Sequence, residues 1–445
     1  MKGAILILGI TAYVTLRALS HPWIGVVGYG TFAVLCPPWN WRWSLPELDY
    51  QKYMAVATLL GFLFTGMRRN PLPQRLLLPL LCLWGFLGLC FLSNLQSISP
   101  VKSAMFIDVF FKIILMSSLA VFVLNTGRQI AIFVGCLILA QGWNAFNINQ
   151  LYFERGYINI NWFQWNFLDN NTYSISSLPM FFLAIGGSIC APRLWQRGLA
   201  GFIAVLQIHQ IMLLQSRGTM IGALLACGLM IVFMPKTQRA IRTVLAAVVI
   251  GSILAGPPVI EEFSSAFKPQ GELDSSADSR YGVWKAGAKI TMDYPLLGVG
   301  PWAGERLVPH YYENYTDNRD AKALHNLLFE VSTGMGIPAT ILYLSFFGLP
   351  WWQHLKVWWR GGDFPEWFRI VQIGILAGIP GYWASSMFSS GALIEAPYLL
   401  MAIGIVSLYI YEYVPEEHAN DQDDDEADER EFDSGEESRV YSSIK

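Results

Sequence analysis

The chain has 445 residues, 53% hydrophobic and only 14% charged, against roughly a quarter charged in an average soluble domain. Its net charge of −3 divides into an acidic end, with 13 acidic and 3 basic residues from Pro415 onward (−10), and a remainder of 27 basic and 20 acidic residues (+7). No basic cluster is dense enough for a nucleic-acid partner, and continuously apolar rather than alternating segments exclude a transmembrane β-barrel.

Apolar runs long enough for a bilayer core of about 30 Å recur at 3–19, 22–38, 52–66, 76–93, 104–124, 129–147, 173–190, 197–215, 219–235, 242–257, 326–350, 368–387 and 393–411. The expected class is an all-α polytopic membrane protein with 12 or 13 transmembrane helices, the first two runs forming either two spans or one broken unit. The start MKGAILILGITAYVTL has the charged head and apolar core of a signal peptide but no small-residue cleavage site after it, so it reads as a first span. The expected organisation is a transmembrane bundle over 1–256, a large, partly helical loop over 257–325, further spans over 326–412 and a disordered acidic tail over 413–445.

Every second short loop is basic: Arg68, Arg69 and Arg75, then Arg128, Arg193 and Arg197, Lys236, Arg239 and Arg242, and Lys356, Arg360 and Arg369. By the positive-inside rule these loops and the tail are cytoplasmic. The segments 148–172, Arg217, 257–325 and 388–392 then converge on the opposite face. The aromatic-rich 148–168 reads as an interfacial belt, and Asp169, with Asn170 and Asn171, as the cap of the helix that follows. His209 and Gln207 lie inside an apolar run, where interhelical hydrogen bonding is expected.

Three residues stand out as candidates for chemistry. Arg217 occupies a short break, SRG, between two apolar runs; rim or intramembrane charges are expensive and point to function. Gln210, seven residues earlier, shares its face if the helix continues. Arg280 belongs to a helix expected over about 278–292, sharing a face with Trp284, and Pro295, Gly298, Gly300 and Pro301 break that helix into a turn. His325 stands with Asn326 at the start of LLFEVSTGMGIPATILYL, where the helix dipole disfavours imidazolium and free N–H groups can hold a phosphate oxygen. Glu330 and Glu395 are further acids near the same face. The cysteines lack CxxC spacing, and no ligand-spaced His, Asp and Glu cluster or nucleotide-binding loop occurs, so neither metal nor cofactor is expected. One base and two fixed cations amid spans suit a lipid-linked diphosphate donor and an acceptor hydroxyl.

The segment Ser279–Pro338 resembles the signature region of the O-antigen ligase and polymerase superfamily. The matching pieces are SRYGVWKAG, DYPLLGVGP, the LHN containing His325, GIP at Gly336–Pro338, SRG at Ser216–Gly218 and DNN at Asp169–Asn171 with Leu178–Pro179. The N-terminal PWIGVVGYGTFAVLCPPWNWRW is similar to that superfamily's O-glycosylation ligase branch. The resemblance implies a GT-C-like membrane fold and an inverting, metal-independent glycosyltransferase in the bacterial inner membrane. It would move a glycan from undecaprenyl diphosphate to a hydroxyl of a glycolipid, polysaccharide or protein on the periplasmic side. The family's essential histidine maps onto His325 and its two arginines onto Arg217 and Arg280. Many relatives carry an acidic residue where this chain has Gly334. The same residues leave open a polymerase or a protein O-oligosaccharyltransferase of that superfamily and, from another class, a flippase for the lipid-linked glycan.

Overall fold

The computed structural model describes residues 2–158, 169–255, 264, 275–313 and 320–414, which form helices and turns with no strand among the described residues. The α-helices are α1 (Lys2–Ala18), α2 (Pro22–Leu35), α3 (Pro37–Asn40), α4 (Tyr50–Phe64), α5 (Gln74–Asn94), α6 (Pro100–Val123), α7 (Gly127–Arg155), α8 (Asn170–Cys190), α9 (Leu194–Leu213) and α10 (Arg217–Phe233). Then come α11 (Gln238–Leu254), α12 (Ser275–Asp293), α13 (Val308–Tyr311), α14 (Leu327–Arg360), α15 (Glu366–Ile373), α16 (Ile379–Ser386) and α17 (Glu395–Tyr413). Each apolar run expected to span coincides with helix. Six helices, α5, α6, α7, α8, α14 and α17, are long and apolar enough to cross a membrane by length and composition, and α2 and α10 are shorter apolar helices. This is an all-α, multi-pass membrane protein. The tail from 415 on, residues 159–168 of the aromatic segment, and 256–263, 265–274 and 314–319 of the large loop lie outside the described residues.

Three of the long helices run in the same sense. Asp169, His325 and Glu395, at the starts of α8, α14 and α17, line one cavity. At the far ends the basic loops gather. Arg75 pairs with Glu412 at 2.6 Å and Arg360 pairs with the same carboxylate at 3.6 Å. Arg197, Arg239 and Arg369 lie close enough to act electrostatically on Cys190 at the end of α8.

In a bilayer every backbone group needs an internal partner, so breaks in spans must be repaired by protein. α15 passes through a π turn, Gly374–Gly378, into α16 because Pro380 offers no N–H to the Leu376 carbonyl; the Trp351 indole N–H takes that carbonyl at 3.4 Å. A larger break lies in α14 at Gly336 (φ 83°, ψ 177°), a backbone region almost reserved for glycine. The turn after α12 inserts there. Val299 N–H donates to Thr333 O at 3.0 Å, Gly300 N–H to Gly334 O at 2.9 Å and Ile337 N–H to Pro295 O at 2.8 Å. Gly298 (φ 63°) sits against the Gly334 backbone with no room for a Cβ. At Gly334 a Cβ would lie 3.1 Å from Gly300 O and 3.3 Å from Trp302 N, so a longer side chain would meet the inserted turn. The Ser93 hydroxyl of α5 donates to Gly334 O at 2.7 Å, tying the junction to the bundle.

An aromatic core fixes the α16–α17 connection. Tyr343 and Tyr398 share a 2.7 Å hydroxyl contact, the Tyr398 hydroxyl donates to Ala392 O at 2.6 Å, and the Tyr382 hydroxyl donates to Gly391 O at 2.9 Å. All three rings are fully buried, so each polar tip needs the partner it has.

Candidate functional site

α12 covers the expected 278–292 and extends it to Ser275–Asp293. Its inner residues Val283, Ala286 and Ile290 pack with Val308 and Leu324 into a small cluster above the bundle, and Trp284 and Phe329 flank it. The Thr291 hydroxyl meets Ser332 of α14 at 2.8 Å, which fixes α12 beside the start of that helix.

His325 lies one residue before the α14 cap, with left-handed backbone (φ 46°) that histidine adopts more readily than most non-glycine residues. Asn326 is the cap. Its Oδ1 accepts from Leu328 N at 3.0 Å and Phe329 N at 3.2 Å, while its Nδ2 donates to Met387 O at 3.1 Å. This corrects the expectation of free helix N–H groups for phosphate, since the Asn326 side chain already takes two of them. Burial first, then the Arg280 guanidinium, pushes the His325 imidazole below the usual histidine range; Asp169 and Glu305 push it up, and Lys322 down. Arg280 and Asp169 are therefore both electrostatic neighbours of His325.

Arg217 opens α10 after Gln215, whose φ of 51° turns the chain. Because α9 ends at Leu213 and the helix does not continue, Gln210 does not share a face with Arg217. Gln210 is buried instead, and its Oε1 accepts from Gln141 Nε2 at 3.3 Å. Gln141 lines the cavity beside His325, so Gln210 supports that wall from behind. Two contacts join the Arg217 turn to the rest. Asn170 Nδ2 donates to Leu214 O at 2.7 Å, and a Cβ on Gly218 would sit 2.7 Å from the Cβ of Phe388. The Phe388 ring is 5.9 Å from that of Trp284, one turn along α12 from Arg280. Trp284 thus bridges the Arg280 helix to the start of the Arg217 helix through Phe388.

Asp169 caps α8, accepting from Thr172 N at 2.7 Å, and also lines the cavity. That cavity, about 530 Å³, reaches from His325 to Glu305, Glu330, Trp302 and Glu395. Glu395 accepts from the Tyr29 hydroxyl at 3.0 Å and Gln51 Nε2 at 3.3 Å, and Glu305 pairs with Lys102. Sequence reasoning missed Glu305, Trp302 and Gln141; the one local signal was Trp302, in the turn after α12. His209 behaves as expected, with Nδ1 against Asn149 Oδ1 of α7. Among the described residues no group of three His, Cys, Asp or Glu could hold a metal ion.

Residues 202–344 match the family model described as O-antigen ligase. The match takes in Gln210, Arg217, Arg280, Trp284, His325, Asn326 and the Gly336 break, and leaves Asp169 outside. No curated protein matches the chain. The match covers about a third of the chain and, with the multi-pass helical fold, supports a likeness to the O-antigen ligase-like superfamily and a membrane glycosyl-transfer function of the ligase or polymerase type.

Proposed function

We propose that the protein transfers a glycan from undecaprenyl diphosphate to an acceptor hydroxyl at the outer face of a bacterial inner membrane. The observation that carries this reading is the grouping around the start of α14. The Arg280 guanidinium acts on the His325 imidazole, and Arg217 begins a helix joined to the Arg280 helix through Gly218, Phe388 and Trp284. His325, kept neutral by burial and by Arg280, takes the proton of the acceptor hydroxyl. The acceptor oxygen forms the new bond to the anomeric carbon as that carbon's bond to the diphosphate oxygen breaks, inverting its configuration. The electron pair leaves with the polyprenyl diphosphate, and Arg280 and Arg217 stabilise the charge that develops there.

The sidedness rests on the bundle's polarity. Arg75 and Arg360 meet Glu412 at one end, which the positive-inside rule makes cytoplasmic together with the acidic tail. His325, Asp169 and Glu395 open at the other, periplasmic end.

The test is reconstitution. Purified protein in lipid nanodiscs is given carrier-linked glycan and acceptor with no ion gradient, and products are followed by mass analysis. Glycan on the acceptor and free undecaprenyl diphosphate are expected. Movement of the lipid-linked glycan between leaflets without any new glycosidic bond would overturn the proposal in favour of a flippase. In cells lacking the protein, accumulated polymer on carrier lipid marks a ligase and single repeat units mark a polymerase.

A further inference from the structure

Cations act on His325 from Arg280 and Lys322, while the cavity beside it is lined by carboxylates, Glu305 among them paired with Lys102. Arg280 acts on the imidazole from α12, and neither Arg280 nor Arg217 lines the 530 Å³ cavity. The cavity wall carries Asp169, Glu305, Glu330 and Glu395, and among the described residues no lysine or arginine lines it. Acidity alone would not make a site. Glu330 supplies a second and independent observation. It is only 6% exposed, the backbone N–H groups of Gly391 and Ala392 face its carboxyl, and its Oε2 has no hydrogen-bond partner among the described residues although the residue lines the cavity. A buried carboxyl oxygen without a partner is costly unless something that enters the cavity supplies a donor.

We propose, resting on the transferase reading, that this cavity is the acceptor subsite and that it selects glycans free of anionic groups: neutral hydroxyl-rich sugars or amino sugars. A carboxyl in either protonation state hydrogen-bonds a hydroxyl or an ammonium, and neither state compensates an incoming phosphate or uronate. The partly buried Trp302 beside Glu330 and Glu305 gives the sugar ring an apolar face. The diphosphate, which only accepts hydrogen bonds, goes to the arginines; the donor-rich acceptor goes to the carboxylates. His325 stands between them, where the acceptor proton must leave.

The test measures binding separately from turnover. Full-length protein in nanodiscs is titrated with the glucosamine β-1,4-disaccharide, its di-N-acetyl form and digalacturonic acid, by calorimetry or tryptophan fluorescence. The first two should bind at least about tenfold more tightly than the third, as like-charge juxtaposition requires. Glu330→Gln should narrow that gap, and Glu330→Asp, which keeps the acid, should preserve it; thermal melting of both variants checks their folding. Digalacturonate binding as tightly as the neutral disaccharide, or no saccharide binding at all, would overturn the proposal. The transferase reading fails separately. If saccharides discriminate but no glycan leaves the carrier lipid, the cavity assignment stands without the reaction. If glycan is transferred equally well to anionic and neutral acceptors, the reaction stands without the selectivity.

Discussion

The two ends of the bundle treat charge in opposite ways. At the end of α17, Arg75 and Arg360, with side-chain exposures of 44% and 65%, pair with Glu412, whose side chain is 15% exposed. Pairs whose cations are this exposed contribute little. At the opposite end Glu330 is buried, Glu395 and His325 are partly so, and a cavity opens among them. Ionisable groups taken out of water without full mutual pairing cost stability, so a fold keeps them where they do something besides hold it together. On the proposed function the contrast separates charges expected to set orientation from charges expected to take part in chemistry, and it makes predictions of very different size for the two ends.

The largest effect belongs to His325. His325→Ala should lower glycan transfer by about 10²- to 10⁴-fold, the range for loss of a general base, with unchanged accumulation of protein in the membrane. The measurement is transferred glycan per mole of purified protein. Normal transfer by this variant would remove the distinction between the two ends.

Next in size is the α14 break. Gly336→Ala forces a side chain into a glycine-only backbone region and against the Leu296 carbonyl. Strain there costs of order 1–3 kcal/mol before the clash is counted. Less folded protein and a lower melting temperature in detergent are expected. An unchanged melting temperature would mean that the inserted turn does not hold the site end together.

The helices were legible in the sequence because apolar runs bounded by Pro, Gly and capping residues have few alternatives in a bilayer. The α12 helix and the break at Arg217 were legible on the same local grounds. The insertion of Gly298–Gly300 into α14 was not, although its glycines and prolines were all noted as turn formers. A turn motif says that the chain bends, and nothing in it says which distant carbonyls will accept its N–H groups. The shared face of Gln210 and Arg217 depended on an unbroken helix, and Gln215, a left-handed residue between them, resets the phase. The acidic cavity lay furthest out of reach. Asp169, Glu305, Glu330 and Glu395 come from four separate stretches, and only tertiary packing brings them to one wall.

A smaller effect sharpens the electrostatics at the site end. Because burial and Arg280 both lower the His325 pKa, the neutral base persists to pH values below the ordinary histidine titration near 6.5. The acid limb of the transfer–pH profile should therefore fall below that value. Arg280→Gln removes a positive charge that disfavours imidazolium, so the pKa rises and the limb moves to higher pH, in addition to any loss of rate. A limb that stays in place or moves to lower pH would show that Arg280 does not act on the base.

The smallest effect belongs to the other end. Arg75→Gln removes the 2.6 Å pair with Glu412 and the hydrogen bond of Arg75 Nη2 to the Tyr413 hydroxyl at 2.7 Å. The Arg75 side chain is 44% exposed, so screening by water holds the loss to about 0.2–1 kcal/mol. Arg360 remains beside Glu412, so the carboxylate is not left without a cation. The variant should transfer glycan at nearly the wild-type rate and melt within a few degrees of it. Its interest lies in topology. Arg75 is one of several basic residues on that face, and orientation is set by their sum rather than by any one of them. A cysteine-labelling map should read the same for Arg75→Gln as for the native chain, whereas replacing Arg68, Arg69 and Arg75 together should weaken the orientation. A large loss of transfer from Arg75→Gln alone would mean that the basic end takes part in the reaction, and the division of labour between the two ends would have to be given up.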